Sequence, residues 1–185
     1  MKWNDHSSLN GLHAFLSASK YHWVNYDVDK LERVYLAWKA VQRGTELHDI
    51  ASSLINHRIK LPKTAKTMNL FVNDAIGYKM ESEKVLYYSP HCFGTADAIC
   101  FRDNFLRIHD LKTGKTKASI KQLEVYAAIF CLEYQVDPAS IQIELRVYQY
   151  DEILVHTPEP EEVLYIMEKI KEFDRRIEDI LEAEE

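Results

Sequence analysis

Residues 94–114, reading GTADAICFRDNFLRIHDLKTG, constrain the fold more than any other part of the chain. They read as two β-strands joined at Asp103-Asn104, because apolar residues alternate on both arms. On the second arm Leu106 and Ile108 share a face with Asp110 and Lys112, since side chains on one face of a strand recur every two residues. On the first arm Asp97 shares a face with Ile99 and Phe101. Two apolar faces thus each run into a carboxylate.

The register follows from the turn. Asp and Asn tolerate the positive φ that a two-residue hairpin loop requires. With Asp103-Asn104 as that loop, Arg102 pairs with Phe105, Phe101 with Leu106, Ile99 with Ile108, and Asp97 falls opposite Asp110. Like charges placed so destabilise a sheet, their Cβ atoms being about 4.5–5.5 Å apart, and burying an unpaired carboxylate is costly. A divalent cation between them resolves both problems, and Lys112 points at the same place.

Bulk composition narrows the class. A chain of 185 residues is long enough for one domain with a sizeable core. No apolar run reaches the roughly 18 residues of a membrane span, and the polar start MKWND lacks a signal-peptide pattern. An intracellular, cytoplasmic protein with no membrane partner is expected. Cys92, Cys100 and Cys131 form no CxxC pair, which argues against a cysteine-built zinc or iron–sulfur site. The net charge of −6 argues against indiscriminate nucleic-acid binding. Yet Arg58, Lys60, Lys63 and Lys66 form one basic stretch, and Lys112, Lys115, Lys117 and Lys121 another. Such local basic surfaces on an acidic chain suit a polyanionic substrate.

Along the chain, residues 1–27 are rich in aromatics and histidine (Trp3, His6, His13, Phe15, Trp23 among them) and predict a short helix and loops. Apolar periodicity predicts helices over 29–42 and 46–56, separated by Gly44, with Thr45 as N-cap of the second. Thr64 opens a third helix to about Met80. A strand over 83–88 precedes the hairpin, which Pro90-His91 leads into. A fourth helix spans 118–134 and places Gln122 above Tyr126 on one face. Residues 141–150 alternate as a strand, and TPEP at 157–160 starts a last helix that runs to the end. Three strands, a crossover helix and a fourth strand predict one mixed sheet with helices packed on it.

This αβββαβ order, with carboxylates on the second and third strands and a lysine two residues after the last, resembles the PD-(D/E)XK nuclease core. The sequence is similar in detail to the RecB-like branch, which includes phage and bacterial recombination exonucleases. GTELH at 44–48 stands where that branch often has GTxxH on the helix before the sheet. GTAD at 94–97 carries the first strand carboxylate, DLKTGK at 110–115 the D/E-x-K element, and QLEVY at 122–126 the QxxxY of the following helix. The proline of the family name is replaced by Ala96, as is common in this branch. The cysteine quartet that some members use for an iron–sulfur cluster is absent, and so are helicase motifs.

The resemblance implies an α/β fold: a central mixed four-stranded sheet flanked by helices, with added N-terminal helices and a C-terminal helix. It divides a single nuclease domain into an N-terminal helical region (1–43), a core (44–150) and a C-terminal helix (151–185). His48, Asp97, Asp110 and the Leu111 backbone carbonyl become ligands of one or two Mg²⁺ or Mn²⁺ ions. Asp97, Asp110 and Lys112 become catalytic, with Lys112 positioning or deprotonating the attacking water. Gln122 and Tyr126 orient the site and the substrate phosphate, and Lys115, Lys117 and Lys121 hold DNA. The expected activity is metal-dependent deoxyribonuclease, most simply an exonuclease of recombination, repair or phage DNA processing. A structure-specific or restriction-like endonuclease and a non-catalytic DNA-binding subunit are the alternatives. DNA is the expected partner; a recombination partner protein and self-association are left open by the sequence.

Overall fold

The computed structural model describes residues 14–184. These fall into two compact units, one ending at Thr45 and one starting at Glu46. The first contains a 3₁₀ segment, Ala18–Asn25, and the start of helix α1 (Val28–Asn56). Trp23 donates its indole N–H to the Ser17 carbonyl at 2.9 Å, and the Phe15, Tyr35 and Trp38 rings pack with centroids 5.1–5.7 Å apart. Trp3, His6 and His13 lie outside the described residues.

The second unit holds the sheet. After α1 come α2 (Thr67–Gly77), β1 (Glu81–Ser89), β2 (Cys92–Arg102), β3 (Phe105–Leu111), α3 (Lys121–Glu133), β4 (Gln142–Gln149), β5 (Glu152–His156) and α4 (Pro160–Glu184). The strand order is β1-β2-β3-β4-β5. Only β3 and β4 run parallel, joined by the α3 crossover, and the other neighbours are antiparallel. The α/β class and the mixed sheet flanked by helices are those expected. Among the described residues no helix is long and apolar enough to cross a membrane.

Each face of the sheet carries its own core. On one face Leu86, Ala96, Ile99, Leu106, Ile108, Ile143, Leu145 and Val147 meet Leu123 and Ala127 of α3 and Val163 and Met167 of α4. On the other, Ala98, Leu111 and Tyr148 meet Ala51 and Ile55 of α1 and Phe71, Val72 and Ala75 of α2. Each fully buried large apolar side chain contributes about 1.5–3 kcal/mol. Together they pin the register, because a one-residue slip would exchange the two faces.

Three expectations need correction. The sheet has five strands, not four. Tyr150 and Asp151, with φ of 56° and 60°, turn the chain back into β5; a Tyr-Asp pair is not a recognised hairpin signal, and a five-residue edge strand shows little alternation. Secondly, α1 is continuous through Gly44. A mid-helix glycine costs only about 1 kcal/mol, and Thr45, instead of capping a new helix, turns its hydroxyl back to the Val41 carbonyl at 3.3 Å. Thirdly, α2 begins at Thr67 and not at Thr64. Its first N–H is capped from far along the chain, by Asp151 Oδ1 at 2.7 Å, while Thr64 Oγ1 accepts from the Lys66 N–H and the Asn69 amide.

The hairpin that dominates the sequence forms as read except at its far end, where the ladder stops at Ala98–His109 and the expected Asp97–Asp110 pair is not formed. Asp103 and Asn104 both have positive φ (51° and 58°), and the ladder pairs Arg102 with Phe105, Phe101 with Leu106 and Ile99 with Ile108.

Candidate metal centre

The strand alternation breaks at the residues that carry the carboxylates. Ala96 packs in the α3-side core, yet Ala98, two residues on, packs in the α1/α2-side core, although such residues normally share a face. In β1 the Ser82 hydroxyl bonds to Ser52 of α1 at 2.8 Å, whereas Leu86 lies in the α3-side core. The pairs Ser82–Ala98 and Lys84–Ala96 put Glu83 opposite Asp97, and Glu83 has a φ of 50°. A left-handed non-glycine residue inside a strand is uncommon, and such irregularities gather at functional sites.

Asp97 is the hub. Its Oδ2 accepts the Leu111 backbone N–H at 2.8 Å, and its Oδ1 lies 3.4 Å from His48 Nδ1 on α1. The β2–β3 backbone ladder stops at Ala98–His109, one step before Asp97 and Asp110; there the Asp97 side chain takes over. His48, Glu83 and Asp97 each offer one ligand atom, and the three atoms lie within 4.8 Å of one another.

Asp110 adjoins this trio without belonging to it. It is 3% exposed, and Lys112 Nζ lies 3.1 Å from both of its oxygens. The lysine's hydrogen bond goes to Oδ1, and Oδ2 is buried without a hydrogen-bond donor. Burial, then the Asp97 charge, push the Asp110 carboxyl above its usual range, against the pull of Lys112. Glu83 is raised as well, by partial burial and by Asp97. His48 is raised by its hydrogen bond to Asp97. Each group therefore holds its proton to a higher pH than usual, as a cluster with excess negative charge must.

From Asp110 a polar chain leads to α3. Lys112 Nζ donates to Gln122 Oε1 at 2.8 Å, Gln122 Nε2 to Tyr126 Oη at 3.4 Å, and Tyr126 Oη to the Thr95 carbonyl at 2.7 Å. Gln122 and Tyr126, four apart on α3, thereby tie the helix to Lys112 and to β2. Gly94 makes room for this: a Cβ there would sit 2.8 Å from Tyr126 Cε1.

The residues expected from sequence separate into two groups. His48, Asp97, Asp110, Lys112, Gln122 and Tyr126 converge, and Leu111 joins them through its N–H. Lys115 and Lys117 are exposed in the loop between β3 and α3. Lys121 stands at the start of α3, where its charge is met by buried Glu124 at 2.6 Å. Glu83 is the member that sequence reasoning missed. A charged residue near the start of a strand is ordinary, and the left-handed backbone that turns it towards Asp97 has no sequence signature.

The donor set fits a hard divalent cation. Carboxylate oxygens suit Mg²⁺ and Mn²⁺, and an imidazole suits Mn²⁺. The excess of carboxylates gives the physical reason: Glu83, Asp97 and Asp110 gather beside one lysine, and a bound cation would offset their repulsion.

A family described as "Protein of unknown function (DUF2800)" matches residues 75–149. That segment contains Glu83, Asp97, Asp110, Lys112, Gln122 and Tyr126 and leaves out His48. No curated protein and no solved structure matches the chain.

Proposed function

We propose that this protein is a divalent-metal-dependent deoxyribonuclease of the PD-(D/E)XK type, RecB-like branch, acting as an exonuclease in recombination, repair or phage DNA processing. The observation that carries the reading is the gathering of His48, Glu83 and Asp97, whose ligand atoms lie within 4.8 Å of one another, beside the buried Asp110 and its partner Lys112. The αβββαβ order, with its motifs in sequence, supports the same assignment.

His48, Glu83, Asp97 and Asp110 would hold Mg²⁺ or Mn²⁺, with the Leu111 carbonyl as a further oxygen. When bound, the cation would polarise the scissile phosphate and lower the pKa of a water. Lys112, already fixed between Asp110 and Gln122, would orient the attacking water. Water oxygen bonds to phosphorus as the P–O bond to the sugar breaks, and the departing oxygen takes up a proton. Gln122 and Tyr126 would keep Lys112 directed at the site. Lys115 and Lys117 would bind the backbone phosphates, making affinity fall with salt; Lys121 would contribute less, since Glu124 opposes its charge.

The test is cleavage of end-labelled linear single- and double-stranded DNA beside covalently closed circles, with Mg²⁺ and with Mn²⁺. Degradation of linear DNA that spares circles, abolished by Asp110→Ala and by Lys112→Ala in folded protein, is the expected result. Cutting of circles would replace exonuclease by endonuclease. Full activity in either variant, or no cleavage by the wild type, would overturn the assignment.

A further inference from the structure

The β4–β5 turn ties together two basic segments that are far apart in sequence. On one side Asp151 Oδ1 accepts from the Thr67 N–H at 2.7 Å and from its hydroxyl at 3.0 Å, and Lys66 Nζ lies 3.3 Å from Oδ2. The Asp151 N–H returns a bond to Thr67 Oγ1 at 2.7 Å. On the other side the Tyr150 hydroxyl donates to the Lys115 carbonyl. Gln149 holds the same loop through the Gly114 and Thr116 carbonyls at 2.9 and 2.7 Å and the Ala118 N–H at 2.9 Å. Residues 57–66 carry Arg58, Lys60, Lys63 and Lys66 with no acidic residue; residues 111–121 carry Lys112, Lys115, Lys117 and Lys121, again with none. On a chain of net charge −6 this is a marked local excess. The turn's own carboxylate, Asp151, is already engaged.

Tyr150 occupies a backbone conformation that suits Asn or Gly, with φ 56°, and is nevertheless 58% exposed. A bulky residue in a left-handed turn, with little core packing to offset the strain, points to use of its side chain. Its hydroxyl is anchored to Lys115 and its ring is open to solvent. The platform also lies beside the proposed site: the Lys112 N–H bonds the Tyr148 carbonyl at 2.9 Å, and Tyr150 follows two residues later, in the turn just past the end of β4.

We infer that the β4–β5 turn is a docking surface for a single nucleic-acid strand, with Tyr150 stacking on a base and Lys63 on one side, Lys115 and Lys117 on the other, holding the backbone. This rests on the nuclease reading and adds the form of the substrate. An exposed ring accepts an unpaired base of any identity; a duplex hides its base faces and would meet only the lysines.

The test is binding of a fluorescent oligothymidine and of a duplex of equal length, in chelator so that no cleavage occurs, by wild type, Tyr150→Asn, Tyr150→Phe and Lys63→Glu. Asn suits the turn, so Tyr150→Asn keeps the fold while removing the ring. It is expected to lower single-strand affinity by about tenfold and duplex affinity far less, whereas Tyr150→Phe stays near wild type. Lys63→Glu is expected to reduce the slope of log K against log salt by about 0.7. Unchanged single-strand binding in folded Tyr150→Asn, or equal losses for strand and duplex, overturns the inference. A wild type that binds in this Tyr150-dependent way but cleaves no DNA with Mg²⁺ or Mn²⁺ keeps the surface and overturns the nuclease reading instead.

Discussion

His109 and Asp110 are neighbours on β3, face opposite sides of the sheet, and look onto polar clusters built to opposite rules. His109 is fully buried, and its Nδ1 lies 3.2 Å from the Tyr148 hydroxyl, which donates to Asp74 at 2.8 Å. Arg146 bonds Asp74, the Tyr78 hydroxyl and Glu144, and Arg107 bonds Glu144. Two guanidinium groups thus balance two carboxylates, and burial lowers the His109 pKa to about 3, so its imidazole is neutral. In the cluster around Asp97, by contrast, Glu83, Asp97 and Asp110 outnumber Lys112, and the proton on His48 is the remaining positive charge. The first cluster is balanced in charge, although His109 Nε2 is buried without a hydrogen-bond partner. The second has negative charge to spare, which is the difference between a polar network that fixes packing and one prepared for a cation.

The comparison breaks most sharply if the His109 side turns out to carry activity. Asp74→Ala removes the acceptor shared by Tyr148 and Arg146. It is expected to destabilise the fold by about 2 kcal/mol, read as a shift in the urea midpoint, while the folded fraction retains wild-type cleavage. Loss of cleavage without loss of stability would reverse the roles of the two clusters.

Gly94→Ala strains the second cluster without touching a proposed ligand. The added Cβ at 2.8 Å from the Tyr126 ring forces the ring or α3 to shift. A destabilisation of about 1–3 kcal/mol is expected, together with a lower cleavage rate from disturbance of the Tyr126–Gln122–Lys112 chain. Unaltered stability and rate would show that Tyr126 is not held as described.

Asp110→Asn moves stability the other way. Because the Asp110 pKa is raised in the fold, ionising it costs the metal-free protein stability. That cost sets in as pH rises above the ordinary carboxylate range and is complete above the folded pKa. The amide escapes it, so at neutral pH in chelator the variant is expected to be more stable by about 1 kcal/mol, and Mn²⁺ is expected to stabilise only the wild type. A less stable variant in chelator would contradict the charge imbalance.

The smallest effect is on pH dependence. His48 keeps its proton above its ordinary pKa of 6.5, and a bound cation must displace it. Mn²⁺ affinity is therefore expected to rise with pH through and somewhat above 6.5, and to flatten in His48→Asn. The same pairing makes protonated His48 stabilising in the metal-free protein: that contribution is fully present below 6.5 and fades as pH passes the raised value. A Mn²⁺ affinity independent of pH between 6 and 8, at the ~10-fold per unit scale of a single proton, would remove His48 from the ligand set.

How much of this was legible in the sequence depends on whether the controlling interaction is local. Asp103-Asn104 fixes its hairpin through its own φ preferences, so the register from Arg102–Phe105 to Ile99–Ile108 could be read directly, whereas the expected Asp97–Asp110 pair is lost where β2 breaks alternation. QLEVY places Gln122 and Tyr126 on one helical face by period alone. Three features escaped because distant residues decide them. α2 starts where Asp151, some eighty positions away, caps it. β5 exists because a strained Tyr150-Asp151 turn is held by Thr67 and Lys115. Glu83 joins the site because both β1 and β2 break alternation at the same level, a property of the pair and not of either strand.

The most direct measurement is Mn²⁺ binding by electron paramagnetic resonance, comparing wild type with Asp97→Ala and His109→Ala in samples shown to be folded. Asp97 touches His48 and Leu111 and lies within the trio with Glu83, so its loss is expected to abolish high-affinity Mn²⁺ binding, while His109→Ala leaves it intact. Equal Mn²⁺ affinity in wild type and Asp97→Ala, or loss confined to His109→Ala, would contradict the placement of the metal at Asp97.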